Sequence, residues 1–181
     1  PVEFLQKNLE KGFYSLLWIS ILLSMMLATE DIFLEDFSDG TLEQTIISNT
    51  SFPLLIANKI FIYWLMIGVP ISFLSFLFSL SLTQDFNLSL SIFPLSVVSS
   101  YIFLNLFVFG NALSLNKGSV LGAIITMPLA LPVLIILGKS VIAIEFGINY
   151  VEFLLLLLGI LSIIITIVPF IISYVIKAHL E

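Results

Sequence analysis

Residues 29–53 read TEDIFLEDFSDGTLEQTIISNTSFP, and this stretch from Thr29 to Pro53 is the one long polar interruption in a chain that is otherwise apolar. Glu30, Asp31, Glu35, Asp36, Asp39 and Glu43 place half of the protein's twelve acids here, and no lysine follows until Lys59. Charged side chains inside a bilayer are costly and need partners. The stretch is therefore solvated or faces another protein, and the apolar chain on either side of it is what lies in the membrane.

Its internal pattern predicts two short helices joined by a glycine turn. Ile32, Phe33 and Phe37 line one face while Glu35, Asp36 and Asp39 point elsewhere, the amphipathic arrangement of a helix lying along an interface. Asp39-Gly40 makes the turn, with Gly40 at positive φ. Thr41-Leu42-Glu43-Gln44 then has the spacing of a capping box, in which the Gln44 amide donates to the Thr41 hydroxyl and the Gln44 side chain reaches back. A second helix is thus expected from Thr41, ended by the polar run Ser48-Asn49-Thr50-Ser51. Pro53 suits the first turn of the helix after that, where a missing N–H costs nothing. Two readings fit such an element: a solvated connector between membrane helices, or a docking element that transmits a push from a soluble protein into the membrane.

Composition agrees with the membrane reading. Hydrophobic residues make up 60% of the 181 residues and charged ones 10%, with a mean hydropathy of +1.20, whereas soluble domains carry about 25% charged residues. One membrane domain fills the chain and leaves no room for a separate soluble enzyme domain. Cysteine is absent, which excludes disulfides, thiolate catalysis and thiolate-held metal. All six basic residues are lysines, so bidentate arginine contacts to phosphate or nucleic acid are excluded too. The net charge of −6 comes mainly from the acidic stretch and suits a basic partner surface. The chain opens at Pro1 without a signal-peptide pattern, which suggests a truncated start.

A helix needs about 20 apolar residues to cross the hydrocarbon core, and uncharged runs give five candidate spans: Gly12–Thr29, Ile60–Gln84, Phe86–Asn116 with entry near Ile92, Gly118–Gly138, and Phe153–Ile176. The expected fold is an all-α polytopic bundle with a short amphipathic helix pair between its first two spans. Asn116-Lys117-Gly118 reads as a tight reversal, and Lys139–Glu152 as a short interfacial segment. Gly68 and Pro70 predict a kink in the second span, Pro128 and Pro132 a broken or bent fourth, and Pro169 a bend in the fifth. Each is a helix hinge or an ordinary membrane-helix bend. Ser75, Ser79, Ser99, Ser100, Asn105, Asn111 and Ser162 are expected to bond between helices. Alternation of spans puts Lys59, Lys117 and Lys177 with the acidic stretch and Lys7, Lys11 and Lys139 opposite, a tie that leaves orientation open.

Several chemistries are missing. No Gly-x-x-x-x-Gly-Lys-Ser/Thr phosphate loop occurs, since Gly118 and Gly122 lack the lysine. The lone histidine, His179, follows the last span without a partner for a haem axial pair. No metal cluster and no nucleophile–base pairing stands out, so a non-catalytic membrane subunit is expected.

Asp39-Gly40-Thr41-Leu42-Glu43-Gln44 resembles a signature of the haem exporter protein B family, ABC-2 type permeases of bacterial cytochrome c maturation. In that family an acidic segment follows a span, then Asp-Gly-Ser/Thr-Leu-Glu-Gln, then a span entered through proline. The likeness continues through Asn58-Lys59, Trp64 and Gly68-Val69-Pro70. Further blocks follow in order at Gly110-Asn111-Ala112-Leu113, Gly118-Ser119-Val120-Leu121 and Pro128-Leu129-Ala130-Leu131-Pro132. It runs from about Pro1 to the C-terminus. Family members begin with an interfacial helix and a first span that precede the point where this sequence opens, so six spans are expected in the whole protein. The family's acidic segment often carries arginines; Ile32–Gly40 here is purely acidic.

The resemblance implies a single permease domain in the bacterial inner membrane, with Thr29–Pro53 on the cytoplasmic side as the segment coupled to an ATPase. Glu35, Asp36, Asp39, Gly40, Thr41, Leu42, Glu43 and Gln44 would form its ATPase-coupling segment. It further implies a separate soluble ATP-binding subunit, haem-handling membrane subunits, a periplasmic haem chaperone and a second copy of the chain, with no nucleic acid. Haem would be transported or handed over by the complex and not held as a cofactor. Two activities stay open, movement of haem through the bundle and ATP-driven release of a haem-loaded chaperone. An ABC-2 permease for another substrate, a polysaccharide, lipid or drug, is the alternative identity.

Overall fold

The computed structural model of the chain describes residues 2–48, 51–115 and 119–180, and every element among them is helical. In order these are α1 (Val2–Ala28), α2 (Leu34–Ser38), α3 (Thr41–Ile47), α4 (Phe52–Tyr63), a π-helical segment (Trp64–Gly68), α5 (Val69–Thr83), α6 (Phe86–Leu113), α7 (Ser119–Glu145) and α8 (Val151–Leu180). With α4, the π segment and α5 joined end to end, four helices are long and apolar enough to cross a membrane: Phe52–Thr83, Phe86–Leu113, Leu121–Glu145 and Val151–His179. The apolar part of α1, Gly12–Ala28, is shorter and reaches about 25 Å at 1.5 Å per residue. The protein is a polytopic helical membrane protein.

Helix α6 is the centre, with α1, α5, α7 and α8 packed around it. Ile92, Leu95, Ile102, Phe103, Leu104 and Phe107 on α6 are fully buried, while most of the other long helices face outward. Lipid tails are as apolar as leucine, so close packing and interhelical hydrogen bonds must hold the bundle. At the α6–α7 contact a Cβ added at Gly110 would stand 2.5 Å from the Gly122 carbonyl oxygen. Only two glycines allow the backbones so near. Hydroxyls tie the rest: Tyr14 Oη lies 3.1 Å from Ser79 Oγ, which donates to Ser89 Oγ at 3.2 Å. The Trp64 indole donates to Ser100 Oγ at 3.1 Å, and Ser100 also meets Ser72.

Several expected boundaries shift. The helix of the second span begins at Phe52 with Pro53 in its first turn, as expected, and so starts well before the uncharged run that opens at Ile60. Lys59 does not end the helix because the Asp36 carboxylate pairs with its ammonium there. The third is helical from Phe86, where Asp85 accepts from the Asn87 and Leu88 amides, and Pro94 lies inside this continuous helix. Helix α7 runs unbroken through Pro128 and Pro132, so of the two expected forms, broken or bent, the broken one is absent; in lipid an irregular backbone would strand its polar groups, and helix is the cheaper state. The Lys139–Glu152 segment is not a separate element either, since α7 continues to Glu145 and a turn at residues 146–150 leads into α8. Ser75, Ser99 and Asn105 bond carbonyls of their own helices and not a neighbour. The expected reversal at Asn116-Lys117-Gly118 lies outside the described residues.

Candidate functional site

The acidic stretch emerges as a helix hairpin fastened to one end of the bundle. Thr29 closes α1 by donating its hydroxyl to the Met25 and Met26 carbonyls. Its own carbonyl accepts from Asn111 Nδ2 at 2.5 Å, which ties the exit from α1 to the last turn of α6. A turn over residues 29–33 then leads into α2. Ile32, Phe33 and Leu42 are buried against the core, with Phe37 and Ile46 packed beside them. Glu30, Asp31, Glu35, Asp39 and Glu43 are exposed. The hairpin thus presents a carboxylate face outward and seats an apolar face on the bundle.

Between α2 and α3 Gly40 has φ of +77°, a left-handed conformation that side chains disfavour. Nothing lies within 4 Å of an added Cβ there, so the backbone angle alone calls for glycine. The capping box does not form as expected. Gly40 is the N-cap and Thr41 the first helical residue, so the Gln44 amide donates to the Gly40 carbonyl at 3.2 Å instead of the Thr41 hydroxyl. The Asp39 carboxylate does the capping: it accepts from the Thr41 amide at 2.9 Å. Hydrogen bonding from the Thr41 side chain and then from its backbone amide holds the Asp39 carboxyl below the usual carboxylate range.

Lys59, absent from the expected coupling residues, belongs to the same site. Its Nζ lies 2.5 Å from Asp36 Oδ2 and 5.6 Å from the centre of the Phe33 ring. Spacing along the sequence could not reveal this, because α3 and the first two turns of α4 intervene. A signal existed all the same: a lone lysine in an apolar helix needs a counter-charge, and the acidic stretch is the nearest supply.

Of the four hinge candidates, Gly68 and Pro70 flank the end of the π segment, while Pro128 and Pro132 sit within continuous α7. An apolar groove of about 450 Å³ lies between α1 and α5, lined by Phe13, Leu17, Ile21, Ile71, Leu74 and Phe78 among others. It offers no charged group. Among the described residues no group of three His, Asp or Glu side chains could hold a metal ion. His179 Nδ1 lies 2.8 Å from the Val175 carbonyl of its own helix.

Comparison with known proteins gives one consistent result. The model of the family described as CcmB protein matches residues 6–179. The chain is 32% identical over 176 residues to heme exporter protein B of Pseudomonas aeruginosa, covering 96% of this chain and 77% of that protein. It is 29% identical over 166 residues to heme exporter protein B of Haemophilus influenzae, covering 91% and 75%. The Escherichia coli K12 protein of the same name is 35% identical over 60 residues, a third of this chain.

Proposed function

This chain belongs to the CcmB protein family, and from that premise we propose that it is the membrane-embedded permease subunit of an ABC-type complex serving cytochrome c biogenesis in the bacterial inner membrane. The relatives are named heme exporters, so the cargo in this reading is haem. The single observation that supports a subunit driven from outside is the anchored acidic hairpin. An apolar face seated on the bundle, an exposed carboxylate face and ties at Asp36–Lys59 and Thr29–Asn111 make a lever that a soluble partner can push.

In this reading Glu35, Asp36, Asp39, Gly40, Thr41, Leu42, Glu43 and Gln44 form the coupling segment of a single permease domain. Glu35, Asp39 and Glu43 meet a basic surface of a soluble ATP-binding subunit, where complementary charge speeds and selects association. Asp39, Gly40 and Thr41 set the angle between the two helices, and Leu42 holds the second helix on the bundle. Asp36 is engaged internally by Lys59. ATP hydrolysis belongs to the partner; haem-handling membrane subunits, a periplasmic haem chaperone and a second copy of the chain complete the complex.

Within that complex we favour ATP-driven release of a haem-loaded chaperone over passage of haem through this bundle. The groove between α1 and α5 has no cation for the propionates and no ligand pair for the iron. Deletion of the gene should abolish covalent haem in c-type cytochromes and leave b-type cytochromes intact, and blocking ATP hydrolysis should leave haem-loaded chaperone on the membrane complex. Normal c-type cytochromes in the deletion strain, with a defect in polysaccharide, lipid or drug export, would instead assign the chain to another ABC-2 pathway.

A further inference from the structure

The helix that begins at Phe52 and ends at Thr83 changes partners halfway. Helix α4 packs chiefly on α8, whereas α5 packs chiefly on α6. The change falls at Trp64–Gly68, where the helix is wound as a π-helix and the Val69 amide donates to the Trp64 carbonyl five residues back. Such segments mark places where a helix bends or changes register, and they recur at functional positions. Pro70 follows at once and supplies no N–H to restore the ordinary pattern.

Each side of the segment is held by different groups. On the α4 side, Lys59 is bound to Asp36 of the acidic hairpin, with Phe33 under its ammonium. On the α5 side, Ser72 meets Ser100, and Ser79 meets both Tyr14 and Ser89, so this half is bonded to α6 and α1. Trp64 sits at the junction. Its indole donates to Ser100 and its ring lies 4.8 Å from that of Tyr101, both on α6. The ring occupies the space over Gly68, where an added Cβ would stand 2.9 Å from Nε1. Ser72 donates its hydroxyl to the Gly68 carbonyl at 2.7 Å and covers a backbone acceptor at the joint.

The geometry points to the π segment as a hinge: α4 swings with α2 and α3 of the acidic hairpin, whose α1 end stays tied to α6 through Thr29 and Asn111, while α5 stays fixed to α6, and Trp64 is the pin about which the two halves turn. This rests on the reading that the hairpin receives a push from an ATP-hydrolysing partner, and it adds where that push becomes motion. Leu55 stands nine residues before Trp64, a lever of about 14 Å at 1.5 Å per residue, so a swing of roughly 15° would displace it by about 4 Å.

This sequence holds no cysteine, so spin labels can be placed at chosen sites in it and read in the complete complex in lipid nanodiscs, with any partner cysteines replaced. Spin labels at Leu55 and Leu77, both exposed on α4 and α5, report across the hinge; labels at Leu77 and Ile124, both exposed, report within the fixed body. The expected result is a nucleotide-dependent shift in the first distance and none in the second. Pro70→Ala, which restores a backbone donor, should suppress that shift by at least half with the complex still assembled, and Trp64→Phe should broaden the first distribution by removing the bond to Ser100. A complex that hydrolyses ATP with an unchanged Leu55–Leu77 distance overturns the hinge and spares the coupling reading. So does a Pro70→Ala complex with an undiminished shift. A chain that recruits no ATP-hydrolysing partner overturns both.

Discussion

The ammonium of Lys59 and the carboxylate of Asp36 form an ion pair across 23 residues of sequence, 2.5 Å apart and each about 30% exposed, at 29% and 33%. This pair locks the acidic hairpin to the first membrane-crossing helix that follows it. At that exposure its worth is roughly 1 kcal/mol. Lys59→Met or Asp36→Asn should therefore speed proteolysis within residues 29–48 several-fold in nanodiscs while leaving the amount of inserted protein unchanged. The charge-swapped double variant should recover much of the protection, whereas equal digestion of all variants would show that the pair fastens nothing.

Asp39 makes a sharper prediction in acid. Its folded-state pKa is lowered by hydrogen bonds from Thr41, so the contribution of this contact is complete above the ordinary carboxylate value of about 3.9 and is lost as pH falls through the lowered value. Carboxyl carbon shifts of Asp39 should be flat from pH 8 to 5 and titrate only below the usual Asp range. Thr41→Ala should move that titration upward and still leave the helix starting at residue 41.

At Gly40 the positive φ sets a different kind of limit. Gly40→Val should strain the turn by about 1–2 kcal/mol, and Gly40→Asn should cost less because asparagine tolerates the left-handed region. In the complex proposed above, Gly40→Val should uncouple ATP hydrolysis from haem attachment with normal membrane levels of the protein. Full attachment in the valine variant would reduce the hairpin to a connector.

Gly122 and Gly159 are both helical glycines with opposite surroundings. A Cβ at Gly122 meets the backbone of Gly110 and the Ser114 hydroxyl oxygen at 2.7 Å, while nothing lies within 4 Å at Gly159. Gly122→Ala should lower thermal stability in detergent by roughly 1–3 kcal/mol, as overpacking does, and Gly159→Ala should raise it by about 0.5–1 kcal/mol. Matching melting temperatures for the two variants would mean that α6 and α7 separate freely.

Orientation is testable with single cysteines in this cysteine-free chain. Glu43 on α3, and Asn87 and Asn149 at the opposite end, are all exposed. With the acidic hairpin in the cytoplasm, an impermeant thiol reagent should label Asn87→Cys and Asn149→Cys in intact cells and Glu43→Cys only after lysis. The reverse pattern would place the hairpin outside and remove it from reach of any cytoplasmic ATPase.

Much of this architecture is written locally. Runs of apolar residues specify helices because lipid offers the backbone no other partner, and six carboxylates in one short stretch had to leave the bilayer. Gly40 at positive φ and Pro53 in a first turn were legible because glycine and proline act on their own backbones; where a kink was expected at Gly68 and Pro70, the helix carries a π-helical segment at Trp64–Gly68. What only the tertiary structure decided are the pairings between distant groups. Lys59 with Asp36, Asn111 with Thr29, Trp64 with Ser100 and Gly110 against Gly122 depend on which helix faces which. Near-uniform hydrophobicity around each membrane helix hides that choice. Periodicity reports the face a helix turns from water, and within lipid there is no water to turn from, so small residues and single hydrogen bonds select the neighbours.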